Sequence, residues 1–256
     1  LGNISPAQSD YTQMVHGGGH GDYHVIVLAP STVQESVDLT VLAFDLAEKY
    51  RSIVAILTDG SIGQMMEPCE LPPIQPLKTS LPAWAATGAA GRERNVLSSI
   101  YLNVNDEEKA NLRWMRKWQE VEANEVRFKE YYTEDAKFLV VGFGSAGRVA
   151  LSAVRAARAE GIPVGLLRPI TLAPFPQKKL EELAKRMQGI LVVEMNGGQM
   201  LDDVRLIVGG RTPIEFFARL GGVMPLPDEV LDEIKRLAKG PLTTEGDPRT
   251  RWLARM

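Results

Sequence analysis

The chain has 256 residues, enough for one large domain or two ordinary ones with real cores. Its hydrophobic share of 45% and charged share of 24% are those of a globular protein. No apolar run reaches the roughly 18–20 residues that span a bilayer, the first residues carry no basic leader, and a net charge of −3 gives no electrostatic footprint for nucleic acid or an anionic membrane.

Taken in chain order, the first strong feature is a glycine-rich loop that feeds a strand, residues 17–29, GGGHGDYHVIVLA. HVIVLA (24–29) and SIVAILT (52–58) read as buried strands, short and apolar at nearly every position, as in a parallel sheet covered on both faces. Residues 32–50 between them read as a helix. Thr32 with Glu35 matches a capping box, and Val37, Val41, Phe44 and Leu46–Ala47 offer an apolar face. Two strands and one helix cannot cover both faces of a sheet, so either more strands precede Leu1 or another subunit completes the layer, and the first is the expectation.

A proline-rich stretch, EPCELPPIQPLKTSLPAW, then reads as an extended linker. A long polar helix is expected from about Asp106 to Tyr131, with Trp114 and Trp118 packing it onto a domain. From Ala136 the rhythm is regular. KFLVVGF leads into a helix over 145–160, PVGLL into one over 177–187, and GILVVEM into one over 199–207. A strand at 213–217 and a helix at 228–238 follow, and the last sixteen residues read as a polar tail. Such alternation is the pattern of an open, mostly parallel α/β sheet.

Three clusters invite chemistry. Gly142, Gly144 and Gly147 form G-x-G-x-x-G between a strand and a helix, as in dinucleotide sites, but the next strand ends in Arg168 where such sites place an acid. A tight strand-to-helix turn is the preferred reading and NAD(P) binding the alternative. His16, His20 and His24 share a face only on a helix, and Gly17, Gly18, Gly19 and Gly21 argue against that helix. A loop whose glycines let His20 and Asp22 approach a ligand, or a plain structural turn, fits better than a metal site. Asp59, Glu194 and Asn196 sit at carboxyl ends of strands, where ligands bind and where helix caps also belong. Cys69, in the proline-rich loop, is not proposed as a nucleophile. As the sole cysteine it also excludes an internal disulfide or iron–sulfur site within this chain, and it is compatible with a reducing cytoplasm.

Several stretches together, GNISPAQSDY, GGGHGDY, VIVLAP, DLTVLAFDLAEKYR, DGSIGQMMEP, YYTEDAKFLVVGFGSAGR, GLLRPITLAPFP and VVEMNGGQM, resemble the thiamine-binding subunit of the 2-oxoacid:ferredoxin oxidoreductases. Within that family the likeness is strongest to the members acting on 2-oxoisovalerate (3-methyl-2-oxobutanoate). The resemblance implies an α/β protein with two parts: an incomplete pyrimidine-type thiamine-diphosphate-binding domain with a parallel sheet, and a transketolase C-terminal-like α/β domain. The implied limits are 1–75 for the second half of the pyrimidine-type domain, 76–135 for a linker with the long helix, 136–240 for the C-terminal domain and 241–256 for the tail.

The resemblance further implies oxidative decarboxylation of a 2-oxoacid, with thiamine diphosphate and magnesium held at a subunit interface. Coenzyme A would take the acyl group, and electrons would pass through iron–sulfur clusters on partner chains to ferredoxin. The implied partners are a pyrophosphate-domain subunit, a gamma-type subunit and an iron–sulfur subunit, in the cytoplasm. The family's glutamate, which activates the cofactor, is expected upstream of Leu1, so no catalytic residue is assigned here and the chain alone is expected to be inactive. Gly2, Asn3, His20, Gly21 and Asp22 are the positions expected nearest the cofactor. The other alternative is a non-catalytic docking subunit.

Overall fold

The computed structural model describes residues 3–74, 76 and 80–256, and the elements below belong to that described part. A short helix, α1 (Tyr11–Val15), precedes β1 (Ile26–Leu28), α2 (Val33–Tyr50), β2 (Val54–Ile56) and the short α3 (Gly60–Gln64). The long helix α4 (Val104–Asn124) is followed by β3 (Phe128–Tyr131), β4 (Phe138–Val141), α5 (Gly144–Ala159), β5 (Val164–Pro169) and β6 (Thr171–Ala173). Then come α6 (Gln177–Ala184), β7 (Gly189–Glu194), α7 (Gln199–Val208), β8 (Ile214–Ala218), α8 (Pro227–Lys239) and α9 (Pro248–Leu253).

The strands form two sheets. The larger runs β3-β5-β4-β7-β8, parallel except for β3, which lies antiparallel on β5. The chain steps from β4 to β5 in one direction and from β7 to β8 in the other. Right-handed crossovers in opposite directions put α5 and α7 on opposite faces, and α5 packs with α8 while α6 packs with α7. Both faces are therefore covered, which is why β4, β5 and β7 are buried at every position.

The smaller sheet runs β2-β1-β6, with β1 and β2 parallel and β6 antiparallel to β1. Its two faces answer the covering problem in an unexpected way. Ile26 and Leu28 point to a cluster with Leu39, Leu46, Tyr50 and Val121, while Val27 and Ala29 join the core of the larger sheet. The second half of the chain covers that second face and supplies the extra strand β6. β6 follows β5 after a single residue, Ile170, whose carbonyl accepts from the Ala29 amide at 2.7 Å.

Several expectations need correction. The long helix ends at Asn124, and residues 128–131 are a strand, since Arg127 pairs with the backbone of Ile170 and Thr171 and carries the chain to the edge of the larger sheet. The buried side of α2 is Leu39, Leu46 and Tyr50, with Leu42 and Ala43 packed beside them; Phe44 is 76% exposed. β2 is only half-buried, being at the sheet edge. Residues 241–256 are no tail: Asp247 caps α9, and Trp252 is 5% exposed with its ring edge-on to Phe216 at 5.4 Å. Trp118 does pack α4 onto a domain, stacking on His24 with ring centroids 4.5 Å apart.

Candidate functional site

The carboxyl ends of β4 and β7 are where the larger sheet changes direction, the crevice in which open α/β sheets bind ligands. Here the crevice is filled by the chain's own N-terminal segment. Gln8, 5% exposed, donates its side-chain amide to the Phe143 carbonyl at 2.9 Å and accepts from the Met195 amide at 3.1 Å. Its backbone N–H donates to the Met195 carbonyl at 3.1 Å, and its own carbonyl accepts from Asn196 Nδ2 at 2.9 Å. One glutamine thus bridges the two strand ends.

The neighbouring start of α5 is closed in the same manner. Asp59 accepts from the amides of Ser61 and Ile62 at 3.0 and 3.3 Å, capping α3, and also from the Ser145 amide and hydroxyl at 3.2 and 2.8 Å. A carboxylate from the first half of the chain occupies the helix terminus that a dinucleotide pyrophosphate uses. The three glycines serve packing. A Cβ on Gly147 would lie 2.6 Å from the Gly142 carbonyl oxygen, and one on Gly144, at φ +51°, would lie 2.8 Å from Gln8 Nε2. The tight-turn reading accounts for the motif, and the NAD(P) alternative loses its anion site.

Arg168, the residue that occupied the acidic position of the dinucleotide pattern, is 2% exposed and contacts Glu35 at 2.5 Å. Glu35 also accepts from Lys129 at 2.7 Å and from the Ser31 amide and hydroxyl at 2.9 and 3.0 Å. Thr32 caps the Glu35 amide at 3.1 Å, so half of the expected capping box forms while the glutamate turns to Arg168. Burial opposes ionisation of Glu35, but the charges of Arg168 and Lys129 prevail and hold its pKa at about 2.

Glu194 and Asn196 cap α7. Glu194 accepts from the amides of Met200 and Leu201 at 2.9 and 2.8 Å, and Asn196 from those of Gly198 and Gln199, both at 2.8 Å. Complete burial pushes the Glu194 pKa up to about 7 despite these donors. Neither residue lines an open site.

The glycine loop is a true loop from Gly17 to Tyr23, with Gly17 and Gly21 at φ +95° and +96°. The Tyr23 hydroxyl accepts from the Gly18 amide at 3.1 Å. The three histidines diverge: His16 lies 3.1 Å from Asp203, His24 stacks on Trp118, and His20 is exposed. Among the described residues no group of three or more His, Cys, Asp or Glu side chains is arranged to hold a metal ion.

Of the expected cofactor-side positions, Gly2 lies outside the described residues. Asn3 donates to the Gly221 carbonyl at 2.7 Å and accepts from the Ser5 amide at 2.8 Å. His20, Gly21 and Asp22 sit together on the exposed loop, and a Cβ on Gly21 would meet nothing within 4 Å. These three residues are open to solvent. An exposed polar loop of this kind has the chemistry to line one side of a polar ligand. A separate cleft of about 850 Å³ lies between α4, residues 172–179 and α7, with His16 and His24 in its walls but neither Asn3 nor His20.

Gln8 and Asp59 carry most of the geometry here. Asp59 had a signal, its place after a strand, whereas nothing in Ser-Pro-Ala-Gln-Ser-Asp distinguishes the glutamine.

Two family models match the chain. Residues 2–132 match "Pyruvate flavodoxin/ferredoxin oxidoreductase, thiamine diP-bdg" and residues 136–230 match "Pyruvate:ferredoxin oxidoreductase core domain II". The chain is 46% identical over 238 residues to the ketoisovalerate oxidoreductase subunit VorB of Methanothermobacter thermautotrophicus, covering 93% of this chain and 67% of that protein. It is 33% identical over 256 residues to the 2-oxoglutarate synthase subunit KorA of Methanothermobacter marburgensis, covering 89% of this chain and 68% of that protein. Among solved structures, the 2-oxoglutarate:ferredoxin oxidoreductase of Magnetococcus marinus superposes with a TM-score of 0.72 at 21% identity, covering 92% of this chain and 46% of that one. That likeness bears on the fold.

Proposed function

The chain belongs to the 2-oxoacid:ferredoxin oxidoreductase family, and on that footing we propose that it is the pyrimidine-type thiamine-binding subunit of an enzyme that oxidatively decarboxylates a branched-chain 2-oxoacid, 2-oxoisovalerate first among them. The observation that carries the reading is the continuous match, at 46% identity over 93% of the chain, to a ketoisovalerate oxidoreductase subunit. Coenzyme A receives the acyl group and ferredoxin the electrons. Iron–sulfur clusters and the magnesium-bound diphosphate belong to partner chains, which we take to be a pyrophosphate-domain, a gamma-type and an iron–sulfur subunit. The cytoplasm is the proposed site of action; among the described residues no helix is long and apolar enough to cross a membrane.

Thiamine diphosphate, when bound, supplies the electron sink for decarboxylation. This chain's part is to present a wall to it. Asn3, His20, Gly21 and Asp22, with Gly2, are the proposed cofactor-side positions. His20 and Asp22 stand exposed on a loop whose glycines permit close backbone approach, which suits polar contact and exclusion of bulk water over proton transfer. The domain limits at about 75, 135 and 240 are retained as a proposal for how these roles divide, with α9 now assigned to the C-terminal part.

The test is reconstitution. The full-length chain assembled with its partners should reduce ferredoxin in the presence of 2-oxoisovalerate and coenzyme A, and more slowly with 2-oxoglutarate. Omission of this chain should abolish turnover. Undiminished turnover without it would instead mark a docking subunit.

A further inference from the structure

If Asn3 stands at the cofactor pocket, something must hold it there; this inference rests on that reading. Asn3 and Ser5 lie on exposed loop, yet the segment 3–10 is fixed at both ends by the second half of the chain. At one end Gln8 is locked between the ends of β4 and β7, followed by the Ser9 carbonyl, which accepts from Gln199 at 2.7 Å. At the other, Asn3 is tied to the Gly221 carbonyl. Between them Ser5 rests directly on Gly222, at φ +89°, where a Cβ would overlap the Ser5 Cβ. The turn after β8 and the β4–β7 crevice lie in the region matched to core domain II, outside the thiamine-binding match at 2–132.

We infer that this turn and crevice form a cradle that sets where Asn3 stands, and that Gly222 and Gln8 are positioning residues for the 2-oxoacid and its cofactor. They touch neither. They act through the placement of segment 3–8, so displacing it weakens the hold on the 2-oxoacid more than it slows turnover.

The cradle is tested in the assembled enzyme with the full-length chain. Gly222→Ala should raise the KM for the 2-oxoacid about ten-fold with a smaller change in kcat, whereas a merely structural defect would lower the active fraction, and so kcat, and leave KM alone. Ser5→Val, which presses on the same contact from the other side without straining residue 222, should act alike and serves if Gly222→Ala fails to fold. Ser5→Gly added to Gly222→Ala removes the overlapping Cβ, though the Ser5 backbone stays 3.2 Å from the new atom, and should lower the raised KM at least about three-fold. The cradle is overturned if Gly222→Ala and Ser5→Val leave KM within two-fold, or if Ser5→Gly restores nothing. Asn3→Ala separates the two ideas. If it raises KM while Gly222→Ala is silent, the pocket reading survives and the cradle does not. If it is silent while Gly222→Ala acts and Ser5→Gly rescues, the cradle survives and Asn3 leaves the pocket.

Discussion

Removing the charge of Glu35 should expose how the two halves of this chain are joined. Glu35 opens α2 in the first half, whereas Arg168 ends β5 in the second and is 2% exposed, with its Nη1 already lacking a partner. Glu35→Gln leaves that guanidinium buried without a counter-charge, and breaking a buried pair from one side costs about 3–5 kcal/mol. The pKa gives a second route to the magnitude: the interval from 4.5 to about 2 in Glu35 is worth about 3 kcal/mol. A carboxylate whose pKa is lower folded than unfolded contributes fully above 4.5 and loses its contribution as pH falls through about 2. In urea denaturation of the full-length chain, Glu35→Gln should therefore be about 3 kcal/mol less stable at pH 7, and the gap should narrow by about 2 kcal/mol at pH 3. Adding Arg168→Met should recover most of the loss. A variant within 1 kcal/mol of the parent at pH 7, or a gap independent of pH, would refute the reasoning.

Glu194 should show the opposite pH dependence. With its pKa raised to about 7, the folded state keeps a proton that the unfolded chain releases near 4.5, so about 3 kcal/mol is lost as pH rises between these values. Denaturation curves at pH 5 and pH 8 should show that slope flattened in Glu194→Gln. Gly147→Ala forces a Cβ to within 2.6 Å of the Gly142 carbonyl and should cost about 3 kcal/mol, read as a lowered midpoint in urea. Calorimetric titration of the parent with NADH or NADPH should give no binding heat, since Asp59 and Gln8 fill the place of the pyrophosphate. Asp59→Ala removes caps from α3 and α5 and leaves Ser145 unpaired, for an expected loss of about 2–3 kcal/mol by the same assay.

What the sequence revealed depended on how local the cause was. The strand–helix rhythm after Ala136 was legible because apolar runs and glycine turns act over a few residues. The Thr32 cap was legible for the same reason. The buried face of α2 was read in part: Leu46 is buried as expected, but Val41 and Phe44 look as apolar as Leu39, and only the position of β1 decides between them. Trp252 was hidden in a run of charges, because Arg251 and Arg255 are consumed by the buried Glu215, a partner 36 residues before Arg251. For the site, the glycines at 142–147 named a tight turn, but the occupants of that turn come from residues 8 and 59. Arg168 stood out in the place of an acid with no visible partner, because Glu35, its counter-ion, lies 133 residues away.

The one-residue step from β5 to β6 has a consequence for how such a protein can be inherited or rebuilt. The two family models divide between residues 132 and 136, as though the halves were exchangeable modules. A cut there would take from the first sheet a strand that the second half contributes, and would bare Val27 and Ala29. Swapping halves between relatives would have to preserve β6 and its register on β1 together, so recombination at that boundary should yield chains that fold only when both parents agree at residues 25–29 and 170–173.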